Sequence, residues 1–219
     1  MTATIKSSFK RRLKMEGLKL AARYSYVCEK ARLFHFSDEM KDFFLSNRDD
    51  KEKIESILKH LVSYNFYQKI AHLNKKEVFD KDVVSFYWKG SPKIKGIQFI
   101  HNASTLIPII QLKMRHIVEE LVDDCVIHPA QIIKEYNNGD FLVKYQPIDK
   151  VANKLILADE AELLVRDDLK TCNLRTGDWI TIHFKKIIEK ISKEEADNLL
   201  KLTKEVLKSF NKQNAKKTC

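Results

Sequence analysis

The sequence predicts an α+β chain, with a helical N-terminal domain followed by a small OB-like β-barrel and a C-terminal helix. Three observations predict it. Apolar residues recur at helical spacing through the first half. Beyond Asp123-Asp124 the period shortens to two, in short runs divided by tight turn signals. Ser192, with Glu195 three residues on, then opens a last amphipathic stretch as a capping box. The expected domains are 1–122, helical; 123–191, barrel; and 192–219, closing helix and basic tail.

In the first half, Ile5, Phe9, Leu13, Leu18, Leu20, Ala21 and Tyr24 mark one helical face up to Val27, and Gly17 is expected to kink it. Ser37-Asp38-Glu39 reads as the cap of a short helix through Phe44. Ile54, Ile57, Leu58, Leu61 and Val62 form the next stripe, expected to run on to Ile70. Asp80 caps a segment from Val83 to Trp88 that Gly90 and Pro92 close. A last helix is expected from Leu106 or Ile109 to Val122, with Ile110, Met114, Ile117 and Leu121 inward.

In the second half, Val126-Ile127 and Ile132-Ile133 lead into Asn137-Asn138-Gly139-Asp140. That is a hairpin signal, because Asn and Gly adopt positive φ at low cost. Phe141, Val143 and Tyr145 then alternate with Leu142 and Lys144, as in a half-buried strand, until Pro147. Leu155-Ile156-Leu157 and Leu163-Leu164-Val165 read as further strands. Gly177-Asp178 turns into Trp179–Ile188, read as one strand. Trp179, Thr181 and His183 are expected on one face of it, and Ile180, Ile182 and Phe184 on the other. In the closing helix Ala196, Leu199, Leu200, Thr203, Val206 and Leu207 share a face.

The 219 residues are 44% hydrophobic and 32% charged, a balance that excludes wholesale disorder. The net charge of +10 gathers at the ends. Lys6, Lys10, Arg11, Arg12, Lys14, Lys19 and Arg23 face one acid, Glu16, and the tail adds Lys208, Lys212, Lys216 and Lys217. Such ends suit either a lysine-rich soluble surface or a polyanion site. No stretch approaches the ~20 apolar residues of a membrane span. No apolar core with a cleavage site opens the sequence, and the four cysteines form no CxxC pair, so a reduced, cytoplasmic chain is expected. Walker, GxGxxG, GxSxG and HExxH motifs are absent, and Asp123-Asp124, Asp167-Asp168 and Glu194-Glu195 read as caps and solvated faces. The reading is therefore non-enzymatic.

Several segments of the barrel half follow one family pattern. Cys125-Val126-Ile127-His128-Pro129 places a proline four positions after a cysteine, ahead of a hydrophobic strand. Val165-Arg166-Asp167-Asp168-Leu169, Gly177-Asp178-Trp179-Ile180-Thr181-Ile182-His183 and Ile188-Glu189-Lys190-Ile191 follow in order, before an acidic helix start. From Asp124 to Phe210 the chain resembles the HypC-type hydrogenase maturation chaperones. That resemblance implies a carrier that passes an iron-centred group between a maturation protein and a metalloenzyme subunit. It implies Cys125 as ligand or contact for the iron, with His183 close by; partner contact is expected at the rim around Pro129 and Phe184. Here Cys125 is internal, Ala130 follows the proline, and Phe184-Lys185-Lys186 follows the histidine. The whole chain, with Tyr87-Trp88-Lys89-Gly90 and Phe99-Ile100-His101 ahead of the barrel, also looks like an uncharacterised prokaryotic family.

Each candidate site has a plainer reading. Cys125, His128 and His183 form either a partial iron or zinc site or a buried cysteine beside two surface histidines, with Cys172 a conceivable further ligand. His101 and Asn102, walled by Tyr87 and Trp88, either line a pocket between helices and barrel or belong to the core. Nucleic acid is the rival partner, through Phe141, Tyr145, Trp179 and Phe184 with Lys144, Lys185 and Lys186 beside them.

Overall fold

The computed structural model describes residues 3–31, 37–45, 50–91, 96–104, 122–152, 154–170 and 173–215. They form two compact units, Met1–Ile100 and His101–Cys219. Among the described residues no helix is long and apolar enough to cross a membrane.

The first unit is helical: α1 (Ala3–Ala31), α2 (Ser37–Leu45), α3 (Lys51–Lys59), α4 (Val62–Asn74), α5 (Lys81–Lys89) and a 3-10 turn at Ile97–Phe99. The helix α1 runs unbroken through Gly17, where the sequence suggested a kink. A Cβ at position 17 would lie 2.1 Å from the Phe79 carbonyl oxygen, so the glycine is there to let the chain ahead of α5 rest on α1. The single stripe expected from Ile54 to Ile70 is two helices, parted at Leu61, whose backbone is extended. The inward set shifts phase there. Ile54, Ile57 and Leu58 are buried before the break, and Ser63, Tyr67, Ile70 and Ala71 after it. One straight helix cannot turn both sets inward, and Val62, placed on the stripe by its spacing, is 66% exposed.

Asp80 caps α5 as its position predicts, its carboxylate accepting from the Asp82 N–H at 2.9 Å. Aromatic rings fill the core beside it. Tyr24 stacks on Trp88 with centroids 4.7 Å apart, and Tyr87 stands edge-on to Tyr67 and Trp88. Trp88 Nε1 donates to the Tyr67 hydroxyl at 2.8 Å, which satisfies the buried indole.

The helix expected to end at Val122 lies outside the described residues up to 121; α6 (Val122–Cys125) is helical. Among the described residues seven strands follow: β1 (His128–Glu135), β2 (Asp140–Tyr145), β3 (Ile148–Val151), β4 (Lys154–Leu157), β5 (Ala161–Arg166), β6 (Trp179–His183) and β7 (Lys186–Ile191). Five close a barrel in the order β1-β2-β5-β7-β6, while β3 and β4 pair as a separate hairpin. Counting the barrel strands alone, the third and fifth pair in parallel and the first meets the fourth. This is the Greek-key arrangement of an OB-like barrel. Ala130, Ile132, Phe141, Val143, Val165, Ile180, Ile182 and Ile187 form the core.

The β1–β2 turn has Gly139 at φ +80°, as the Asn-Gly signal predicts. Trp179–Ile188 is not one strand. It folds back at Phe184-Lys185, with φ +49° and +59°, into the antiparallel pair β6–β7. Neither residue is one that adopts positive φ readily, so no local signal announces this turn. Nor does β6 present a solvent face, since Thr181 and His183 are as buried as Ile180 and Ile182. The closing helix α7 (Lys193–Ala215) packs beside β1, β4 and β6. Its capping box forms as read: the Glu195 N–H donates to Ser192 Oγ, and the Ser192 N–H to the Glu195 carboxylate. Asn211 of α7 bonds both backbone groups of Leu155, locking the β3–β4 hairpin to the helix.

The units divide ahead of the change in period at Asp123. Asn102 is the reason. Its amide donates to the Ile127 carbonyl and the Thr203 hydroxyl, and its oxygen accepts the Ile127 N–H at 2.9 Å, which ties residues 101–104 to barrel and helix.

Gly17→Ala is expected to lower stability by about 3 kcal/mol, because a Cβ cannot share space with a backbone carbonyl. Denaturant unfolding of the first unit's aromatic signal reads it. Ser192→Ala is expected to cost about 1 kcal/mol by loss of the cap, and denaturant unfolding followed by Trp179 of the second unit tests it.

Candidate functional site

The site is assembled around α6. Cys125, half-buried with a reduced thiol, ends that turn. His183 ends β6, and its Nε2 lies 3.1 Å from the Cys125 carbonyl oxygen. The residue pair proposed from sequence is thus brought to one rim of the barrel, through the cysteine's backbone. His128 opens β1, with its Nε2 at 2.9 Å from the Asp123 carbonyl and 3.1 Å from the Asp123 carboxylate. A carbonyl oxygen only accepts, so both imidazoles carry their hydrogen on Nε2 and donate. Between them the Phe184 N–H donates to the Asp124 carbonyl at 2.8 Å. Three consecutive carbonyls, 123 to 125, are therefore met by donors from β1, the β6–β7 turn and β6. The Lys185 ammonium adds a positive charge 3.4 Å from the Asp124 carboxylate, at the helix end where cations are favoured.

Asp123 is the hub, and the solvated reading of the Asp123-Asp124 pair is corrected for it. Its carboxylate accepts from His128, from the Tyr145 hydroxyl at 3.0 Å and from the Ile148 N–H. Burial disfavours its charge. The hydrogen bond and charge of His128, with the bonds from Ile148 and Tyr145, outweigh that and hold the carboxyl below its ordinary value. Burial first, then the Asp123 charge, push the Tyr145 phenol up, so it stays a donor. An aspartate where the helical period gives way to the strand period was the available signal, and it names no partners.

Beside this network lies a shallow surface dent lined by Val126, Leu163 and Ile182, with Asp124, Phe184 and Lys185 among its polar and aromatic neighbours. Phe184 is half-buried, its ring centroid 4.7 Å from that of His183. Pro129 is buried opposite Thr181 and shapes the rim from within. Among the described residues no three His, Cys, Asp or Glu side chains gather as a metal-binding group, and Cys172 lies outside those residues.

The sequence set Tyr87, Trp88, His101 and Asn102 together. Tyr87 and Trp88 are packed in the aromatic core of the first unit. His101 and Asn102 are buried in the second, where the His101 ring stands edge-on to His183 at 5.1 Å. The plainer reading, core packing, describes the aromatic pair.

With a lowered pKa, Asp123 contributes stability that is complete above its ordinary value of 3.8 and is lost as pH falls through the lower folded value. Asp123→Asn is expected to flatten the acid limb of the stability–pH curve and to lower the plateau near neutrality. Melting temperatures across an acid pH series check both.

Residues 110–217, which span the barrel and α7, match the model of DUF6390, a family of unknown function. No curated protein and no solved structure matches the chain. By these comparisons the barrel half is similar to the DUF6390 family, and that likeness carries no activity with it.

Proposed function

We propose that the chain is a non-enzymatic accessory protein that binds a protein partner at the barrel rim around Cys125, His183 and Phe184. The reading follows the HypC-type maturation chaperones that the barrel half resembles. The observation that carries it is the hydrogen bond from His183 Nε2 to the backbone of Cys125, which fixes the cysteine beside the imidazole on one rim. A reduced, cytoplasmic setting suits such a thiol. An iron-centred group would be cargo here, held by the Cys125 thiolate, which binds iron tightly.

A second reading keeps the partner and drops the metal. It is favoured by the use of both Nε2 atoms on backbone carbonyls, which takes one nitrogen of each ring out of any ligand set. The lack of a three-ligand group among the described residues favours it too. Nucleic acid finds less support. On the outer face of β2 and β5, where OB-like barrels take oligonucleotides, Lys144 and Arg166 stand opposite Glu162 and Asp140, with no aromatic ring between them.

Anaerobic purification with elemental analysis and infrared spectroscopy, wild type beside Cys125→Ala, separates the two partner readings. Iron that accompanies the wild type and is lost from the variant is the expected result for a carrier. No metal in either protein, with partner capture unchanged, leaves the scaffold. Partner capture lost on Phe184→Ala or Lys185→Glu, in a protein that melts normally, is expected on both. Retention of capture by both variants would move the docking surface off the rim. Oligonucleotide affinity is expected to be absent at moderate ionic strength; sequence-independent binding that falls steeply with salt would revive the nucleic-acid reading.

A further inference from the structure

The outer face of β2 and β5 carries a pattern that the rim does not use. Strand pairing sets Asp140 opposite Arg166, Leu142 opposite Leu164, and Lys144 opposite Glu162. These six alternate with Phe141, Val143 and Val165, which are buried, so all six point away from the core. Leu164 is 56% exposed, large for a leucine at the centre of a sheet face. Around it the charges are held in place. Arg166 Nε is 2.8 Å from the Asp140 carboxylate, and the Lys144 ammonium is 2.7 Å from Glu160.

Laid out by row, the face reads negative–positive, apolar–apolar, positive–negative. Opposite signs lie side by side along each row and along each strand, and like signs lie on the diagonals. Two copies of this face can be stacked by a twofold axis lying in it. With that axis along the strands, β2 of one copy covers β5 of the other: Asp140 meets Arg166, Lys144 meets Glu162, and Leu142 meets Leu164. With the axis across the strands, Asp140 meets Lys144, Arg166 meets Glu162, and each leucine meets its own copy. With the axis on the diagonal, like charges meet. Faces packed with nearly aligned strands, the common arrangement for stacked sheets, are thus attractive, and crossed ones are repulsive. A face dominated by one sign would repel its own copy in every orientation.

We propose that the β2–β5 outer face is a self-association surface whose partner is a second copy of this chain, joined about a twofold axis with strands aligned. An isologous contact requires a self-complementary patch, and this grid has that property in both its charges and its apolar centre. Six side chains a copy fall short of the roughly 800 Å² per partner of a standard interface, so the dimer is weak, with a dissociation constant on the order of 100 µM. The proposal uses no rim residue, and its failure would leave the rim reading where it stands.

Sedimentation velocity on the full chain, from about 10 µM to about 1 mM, tests it at low ionic strength. A concentration-dependent dimer that weakens with salt is expected. Leu164→Glu is expected to be monomeric throughout that range with an unchanged melting temperature. The sharper test reverses the whole grid, with Asp140→Lys, Lys144→Glu, Glu162→Lys and Arg166→Glu in one variant. That protein keeps the self-complementary pattern, so it is expected to dimerise with itself. Against wild type every aligned stacking sets like charges together, so fluorescence transfer between differently labelled wild-type and reversed chains is expected to stay at background. A wild type that is monomeric at every concentration overturns the proposal. So does a dimer that survives Leu164→Glu, or free mixing of reversed and wild-type chains.

Discussion

A helix that ends against a barrel presents carbonyls that no residue of its own can reach, and burying them unmet would cost more than most single contacts contribute. In the second unit that constraint falls on residues 123 to 125. The Nε2 of His128, the N–H of Phe184 and the Nε2 of His183 each meet one of those carbonyls. Much else follows. The donating ring nitrogens of two histidines are set, the cysteine is placed beside one of them, and the start of β1 is joined to the far end of β6. Asp123 extends the arrangement by drawing in Tyr145 and the first N–H of β3.

The same contacts account for the backbone strain at the β6–β7 turn. Two successive residues other than glycine at positive φ cost about 1–2 kcal/mol each. The Phe184 N–H is held by the Asp124 carbonyl, and the Lys185 ammonium lies near the Asp124 carboxylate. A turn that is unfavourable alone is therefore kept by what it grips, and it sets an aromatic ring and a cation at the edge of the candidate site. Strain of this kind gathers at sites with a use.

The barrel also sorts its surfaces. On β6 both faces are covered, the inner by the core and the outer side by neighbours that include α7, so Thr181 and His183 are buried polar groups with defined surroundings. On β2 and β5 the outer face is open, with Arg166 paired to Asp140 and Lys144 to Glu160. The net charge of the chain therefore says little about this face. Cation and anion alternate there at the spacing of the strands.

Much of the fold was legible in local chemistry. Asp80 before α5, Ser192 with Glu195 before α7, Gly139 in the β1–β2 turn and the alternation along β2 each act through a few neighbouring residues, so they read the same in any context. That His183 meets the backbone carbonyl of Cys125 is a tertiary fact that no local pattern states. Period and cap are properties of short segments, so the helical first half, the barrel and its closing helix could be read from the residues in order. Tertiary structure decided the rest. Gly17 is required by a carbonyl sixty-two positions away, at Phe79. The break at Leu61 reconciles two inward faces, the Phe184-Lys185 turn is held by Asp124, and Asn102 and Asp123 act on partners distant in sequence. Those roles depend on which atoms meet across the folded chain, a relation that spacing along one strand of sequence does not encode.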